Sequence, residues 1–225
     1  NCSKTLYVTA PDCNCPAIAL SVSGGDKNYC SGGSIPAITA SVLPGETVDW
    51  YATPTSGIAL TTGVTSYTPS YSGTYYAEAR NTTTNCKSSS RAEVTITTYP
   101  LPAAAAGNDR IICLNTSTTL GAVTVSGSTY NWSSVPVGFY STESNPTVNP
   151  GETTTYTIVE TSVLTGCTNT HSVVVTVNPL PTAIAGTDRI ICLNANTTLG
   201  ATSISGSTYS WSSIPAGFTS AEADP

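Results

Sequence analysis

Apolar and polar positions alternate along this chain in short runs, the period of half-buried β-strands. Tyr156-Thr157-Ile158-Val159 and Ser172-Val173-Val174-Val175-Thr176-Val177 predict two late strands of one unit, and Val123 to Val125 and Tyr130 to Ser133 predict earlier ones. Gly, Pro and Asn punctuate the runs at Ser126-Gly127-Ser128, Val137-Gly138 and Asn149-Pro150-Gly151. Nowhere do Ala, Leu, Glu and Lys combine with apolar spacing into a helix, and Thr runs such as Thr82-Thr83-Thr84 suit the pleated surface of a strand. The pattern predicts an all-β chain, with several short strands per unit of about 80 residues closing into a two-sheet sandwich.

The strongest regularity is a repeat. Residues 101–146 align without a gap on residues 180–225, at an offset of 79. Asp109-Arg110-Ile111-Ile112-Cys113-Leu114-Asn115 returns as Asp188-Arg189-Ile190-Ile191-Cys192-Leu193-Asn194, and Trp132 returns as Trp211. A more distant unit carries Cys30, Trp50, Tyr75-Tyr76 and Cys86 in the order in which the next carries Cys113, Trp132, Tyr156 and Cys167. The Cys-to-Trp spacings are 20 and 19, and the Cys-to-Cys spacings 56 and 54. This shared frame predicts the disulfides Cys30–Cys86 and Cys113–Cys167. It also divides the chain into residues 1–16, the last strand of a preceding repeat; 17–100 and 101–179, two whole repeats; and 180–225, the first part of another. On this reading Cys2 pairs upstream, and Cys192 with a residue near position 246. Two prolines in four residues at Tyr99-Pro100-Leu101-Pro102 and at Asn178-Pro179-Leu180-Pro181 stiffen the joints, so an elongated rod is expected.

Composition narrows the function. Only 9 % of residues are charged and the net charge is −6, with seven scattered basic residues. That excludes a phosphate-binding surface for nucleic acid and an attraction to anionic lipid. No apolar run approaches the roughly 20 residues that span a bilayer. Eight cysteines in so weakly charged a chain predict an oxidising compartment.

The segments Val48-Asp49-Trp50-Tyr51 and Ser72-Gly73-Thr74-Tyr75-Tyr76-Ala77-Glu78-Ala79-Arg80-Asn81 resemble the immunoglobulin-like repeats of very large secreted surface proteins of gliding Bacteroidota-type bacteria. Ala106-Gly107-Asn108-Asp109-Arg110-Ile111-Ile112-Cys113, with Thr153-Thr154-Thr155-Tyr156-Thr157 and Gly166-Cys167, resembles their PKD-like repeats. The resemblance implies tandem immunoglobulin-like sandwiches in an exported adhesin or stalk. Antibody domains place the second core cysteine two residues after a conserved Tyr. Here Ala77 and Ile158 hold that place, so each bridge is expected at a pole, tying loop to loop. A closed loop of this size gives roughly 4 kcal/mol in the chain-entropy model.

Candidate chemistry is sparse. His171 is the single histidine and reads as a strand-edge residue, because no Ser-His-Asp or Cys-His set is available to it. Asp109 and Asp188 recur just past each joint; turn capping is the simpler reading, and calcium between domains would need several more oxygens. Cys13 and Cys15 read as a local disulfide or a junction clamp. Trp50, Trp132 and Trp211 read as core residues, with an exposed platform for glycans, extended by Tyr51, Tyr71, Tyr75 and Tyr76, as the alternative. The Asn81 and Asn115 sequons are expected by chance in a Thr-rich chain. The sequence thus predicts no enzyme, no cofactor and no metal. It predicts an extracellular spacer whose partners are the other repeats of its chain. Glycan binding, or a filament completed by strands of neighbouring chains, are the alternatives.

Overall fold

The computed structural model describes residues 25–225, so the first unit of the sequence reading, Cys2, Cys13 and Cys15 lie outside the described residues. Among the described residues every regular element is a strand.

The first module contains β1 (Lys27–Cys30), β2 (Ile38–Thr39), β3 (Glu46–Tyr51), β4 (Ser66–Tyr67), β5 (Gly73–Asn81) and β6 (Ala92–Tyr99). One sheet runs in the order β1-β6-β5-β3, and β2 pairs β4 across the core. β1 runs parallel to β6, Cys30 opposite Tyr99, whereas the other pairs are antiparallel. Alternation does the sorting: Val48 and Trp50 of β3, Tyr75 and Ala77 of β5, and Ala92, Val94 and Ile96 of β6 point inward and meet Ile38.

The second module repeats this plan with β7 (Arg110–Cys113), β8 (Thr118–Thr119), β9 (Ser128–Val135), β10 (Tyr140–Ser141), β11 (Thr147–Val148), β12 (Thr154–Ser162) and β13 (Thr168–Asn178). Its main sheet runs β10-β9-β12-β13-β7, with β7 parallel to β13 and Cys113 opposite Asn178; β8 pairs β11. The core holds Leu120, Trp132, Val148, Tyr156, Ile158, Val173 and Val175. Trp50 lies directly across from Ala77, and Trp132 across from Ile158, so an apolar residue occupies the place of the central cysteine of antibody domains. The topology is immunoglobulin-like.

One expected strand is absent. Val123 to Val125 form an exposed loop whose Val125 amide donates to the Tyr130 hydroxyl (2.8 Å), and the pairing falls to Thr118–Thr119 instead.

In residues 180–225 the local structure of the second module returns, with β14 (Trp211–Ser212) pairing β15 (Thr219–Ser220) as β9 pairs β10. Trp211 Nε1 donates to Glu222 O at 2.8 Å, the same bond that Trp132 makes to Glu143 O.

The disulfide pairing departs from the sequence reading. Cys30 is bonded to Cys167, with the two Cα atoms 5.6 Å apart. It is not bonded to Cys86, which is itself in another disulfide, and Cys113 is a free, exposed thiol. Geometry forbids the expected pairs. Cys113 faces Asn178 at one end of β13 and Cys167 precedes Thr168 at the other, so 11 residues of strand, about 35 Å, separate them. Cys30 sits beside Tyr99, whereas the Cys86 carbonyl accepts from Asn81 at the far end of β5, at least about 25 Å away. A disulfide needs Cα atoms within roughly 7 Å. Each module carries its two cysteines at opposite poles, and the bridge crosses the joint.

Candidate functional site: the joint between the modules

The joint is assembled from the ends of the first and last strands of one module and the β12–β13 pole of the next. Beyond Tyr99 the chain runs through Pro100-Leu101-Pro102 without a turn. The Ser31 amide donates to Tyr99 O (2.8 Å) and the Gly33 amide to Cys30 O (2.9 Å), which fixes Cys30 at the exit pole of the first module.

Cys167 approaches from the other side. It closes the β12–β13 turn, where the Ser162 amide donates to Cys167 O (2.9 Å) and the Gly166 amide to Ser162 O (2.8 Å). Gly166 has φ 71°, a left-handed turn conformation that glycine adopts without a Cβ clash. Cys167 is buried, with 1 % of its surface exposed.

Three side chains of the second module then grip the incoming segment. Asn169 Nδ2 donates to Pro102 O (2.8 Å), the Ala104 amide donates to Glu160 Oε2 (2.7 Å), and the Ala106 amide donates to His171 Nδ1 (3.1 Å). Asn169 and His171 alternate along β13, and Glu160 stands opposite Asn169 on β12. His171 therefore acts as an acceptor through its Nδ1. Glu160 is buried, so its carboxylate relies on the Ala104 amide for a charge-assisted bond.

Aspartates hold the next turn. Asp109 Oδ1 accepts from the Val174 amide and Asp26 Oδ1 from the Thr95 amide, both at 2.8 Å, so the recurring Asp pins the first strand of each module to its last. Asp188 is exposed.

A second polar cluster lies on the outer face of β3 and β5. Arg80 Nε and Nη2 donate to Asp49 Oδ2 and Oδ1 at 2.9 and 3.2 Å, and the Gly63 amide adds a third bond at 3.0 Å. Lys87 Nζ lies 2.8 Å from Glu78 Oε1, and Arg91 Nε lies 3.0 Å from Glu78 Oε2. Tyr51 is sandwiched among them, donating to Glu78 (3.0 Å), with the Arg91 guanidinium 3.3 Å from its ring centroid. Burial alone would raise both acids, but the hydrogen bonds and positive charges around them outweigh it and hold Asp49 and Glu78 below the ordinary carboxylate range. Each charge is met by its opposite, which makes the cluster a structural lock.

The aromatic candidates divide. Trp50 and Trp132 are fully buried, and their indoles donate to Val64 O (3.0 Å) and Glu143 O (2.8 Å). Tyr51 and Tyr75 are also buried, Tyr76 is half-buried and Tyr71 is exposed, so the rings form no continuous platform. The Tyr75 hydroxyl donates to Tyr71 O four residues upstream (2.8 Å), the tyrosine-corner arrangement of sandwich domains, and burial pushes its pKa up. Asn81 is turned onto the Thr83 and Thr84 amides, and Asn115 occupies a turn at φ 67°.

No curated protein matches the chain in sequence. Among solved structures, Drosophila OTK extracellular domains 3–5 align at 12 % identity with a TM-score of 0.42, over 72 % of this chain and 62 % of that one. The fibronectin(III)-like modules of Clostridium thermocellum CbhA align at 12 % identity with a TM-score of 0.36, over 72 % and 95 %. An I-band fragment of titin gives 12 % identity and a TM-score of 0.37, over 73 % and 66 %. Residues 16–100, which include the whole described first module, match the family of Ig-like domains described as CHU_C associated.

Proposed function

We propose that this chain is a spacer segment of an extracellular surface protein, in which sandwiches laid end to end hold other parts of the molecule at a distance. The observation that carries the reading is the joint: a short proline-containing connection, gripped by Glu160, Asn169 and His171 and crossed by the Cys30–Cys167 bond. Two covalent connections between two bodies remove most of their relative freedom, as a spacer requires. Disulfides persist in oxidising surroundings, which supports a location outside the cytoplasm. The immunoglobulin-like match supports a structural or adhesive module. With Trp50 and Trp132 inside the cores, direct glycan recognition loses its principal aromatic candidates.

Small-angle scattering of the full chain, oxidised and as the Cys30→Ser/Cys167→Ser variant, tests the reading. A narrow, extended distribution of inter-module distances that broadens in the variant is expected. Equal breadth in both would overturn it, and so would micromolar binding of the oxidised chain to a glycan array.

A further inference from the structure

The position of the inter-module bond has a mechanical consequence that goes beyond the spacer reading and holds whatever the chain separates. The chain enters the first module along β1, and Cys30 is the last residue of that strand. It leaves the second module along β13, whose first residue directly follows Cys167. The bond joining them spans a sequence separation of 137. The shortest covalent line through both modules is therefore β1, one disulfide and β13. Every other strand of both sandwiches lies in the closed loop between the two cysteines.

Without any disulfide, tension on the two ends would cross each sandwich through hydrogen bonds. It would shear β1 against β6, from Lys27↔Ile96 to Cys30↔Tyr99, and β7 against β13, from Arg110↔Val175 to Cys113↔Asn178. Force favours unfolding in proportion to the length released along its direction. Fully extended, the bypassed segment would add about 450–490 Å. With Cys30 tied to Cys167, opening the cores between them releases almost none of that length, so force gains nothing by unfolding them.

We propose that the Cys30–Cys167 bond is a tension bypass: pulling loads travel along β1, the disulfide and β13, and both hydrophobic cores are spared. The fold supports this arrangement at both ends. Cys30 is fixed by the Ser31 and Gly33 amide bonds at the exit of β1, and Cys167 by the Ser162 and Gly166 bonds at the start of β13, so both cysteines stand directly at a strand end.

Single-molecule stretching of the full chain, held at its two ends, tests the proposal. The oxidised chain is expected to show no release attributable to the two modules. The Cys30→Ser/Cys167→Ser variant, which leaves the Cys86 disulfide in place, is expected to show an added release from the 81 residues that follow Cys86 up to Cys167, at most about 270–290 Å, and the wild-type chain under reductant a longer one. Equal release in the oxidised chain and in the variant would overturn the proposal. So would an absence of release in all three, since the bond would then protect nothing. Circular dichroism of the variant at zero load establishes that its modules are folded before pulling. If the variant is unfolded, the comparison of wild type with and without reductant decides.

Discussion

Arg80 closes on Asp49 with two nitrogens, 2.9 and 3.2 Å from its two oxygens, on a sheet face where the aspartate keeps only 2 % of its surface exposed. Removing the guanidinium leaves a buried carboxylate with Lys87 as its nearest cation, at 3.9 Å. Arg80→Ala is expected to cost the first module on the order of 2 kcal/mol, less than the full penalty for a buried ion because Arg80 itself meets water. Chemical denaturation followed by Trp50 fluorescence measures it.

The same cluster sets a pH dependence. Asp49 and Glu78 have folded pKa values below their unfolded ones, so their contribution is present above the ordinary carboxylate range near pH 4 and disappears as pH falls through the folded values. Lys87 is raised, chiefly by its bond to Glu78, so its contribution persists through neutral pH and is lost only as pH climbs past its folded value. Acid below about pH 4 is expected to weaken the first module, and to do so less in Arg80→Ala. Unfolding curves at pH 7 and pH 3 check this.

Gly121 sits at φ 75° beneath Trp132, and a Cβ there would run into the Ser144 carbonyl and approach the indole. Gly127 has a similar φ of 81°, but a Cβ there meets nothing within 4 Å. Gly121→Ala is expected to cost roughly 2–4 kcal/mol, and Gly127→Ala about 1 kcal/mol. Thermal unfolding of the two variants separates steric conflict from backbone conformation.

At the joint, Glu160→Ala strands the buried Ala104 amide and is expected to cost about 1–3 kcal/mol. Hydrogen exchange at Ala104 should accelerate, while amides in the centre of β6 keep their protection.

Thiol chemistry checks the pairing directly. Cys113 and Cys192 are expected to react with a maleimide in the native chain, and Cys30 and Cys167 to resist it. Mass spectrometry of a non-reduced digest should recover a Cys30–Cys167 peptide pair; a Cys30–Cys86 pair would contradict the assigned bond.

The sandwich was legible in the sequence because burial imposes a period. Val48 and Trp50, or Ala92, Val94 and Ile96, alternate with polar neighbours, and only a sheet with one covered face requires that. The cysteine pairing was not legible. A repeat frame preserves spacing equally well whether each cysteine bonds within its own module or with the next one. Strand order could have decided it: a first strand running parallel to the last puts Cys30 at the exit, far from the β5–β6 connection that holds Cys86. The outer-face lock was hidden for another reason. Asp49 and Glu78 alternate like ordinary exposed residues, and they are covered by Arg80 and Tyr51 of the same sheet face together with Gly63, Lys87 and Arg91 of the loops. Val123 and Val125 show the opposite error, apolar alternation in a loop that no second sheet covers.

Placing one sulfur at each end of a module gives the joint a direction, like a hook and an eye. An inserted or deleted whole copy presents the same hook to the same eye, so the number of units can change without any joint being redesigned. Near-identity between residues 101–146 and 180–225 is the mark such copying leaves. Length becomes a quantity that duplication can adjust in whole-module steps, while the fit between neighbours stays constant.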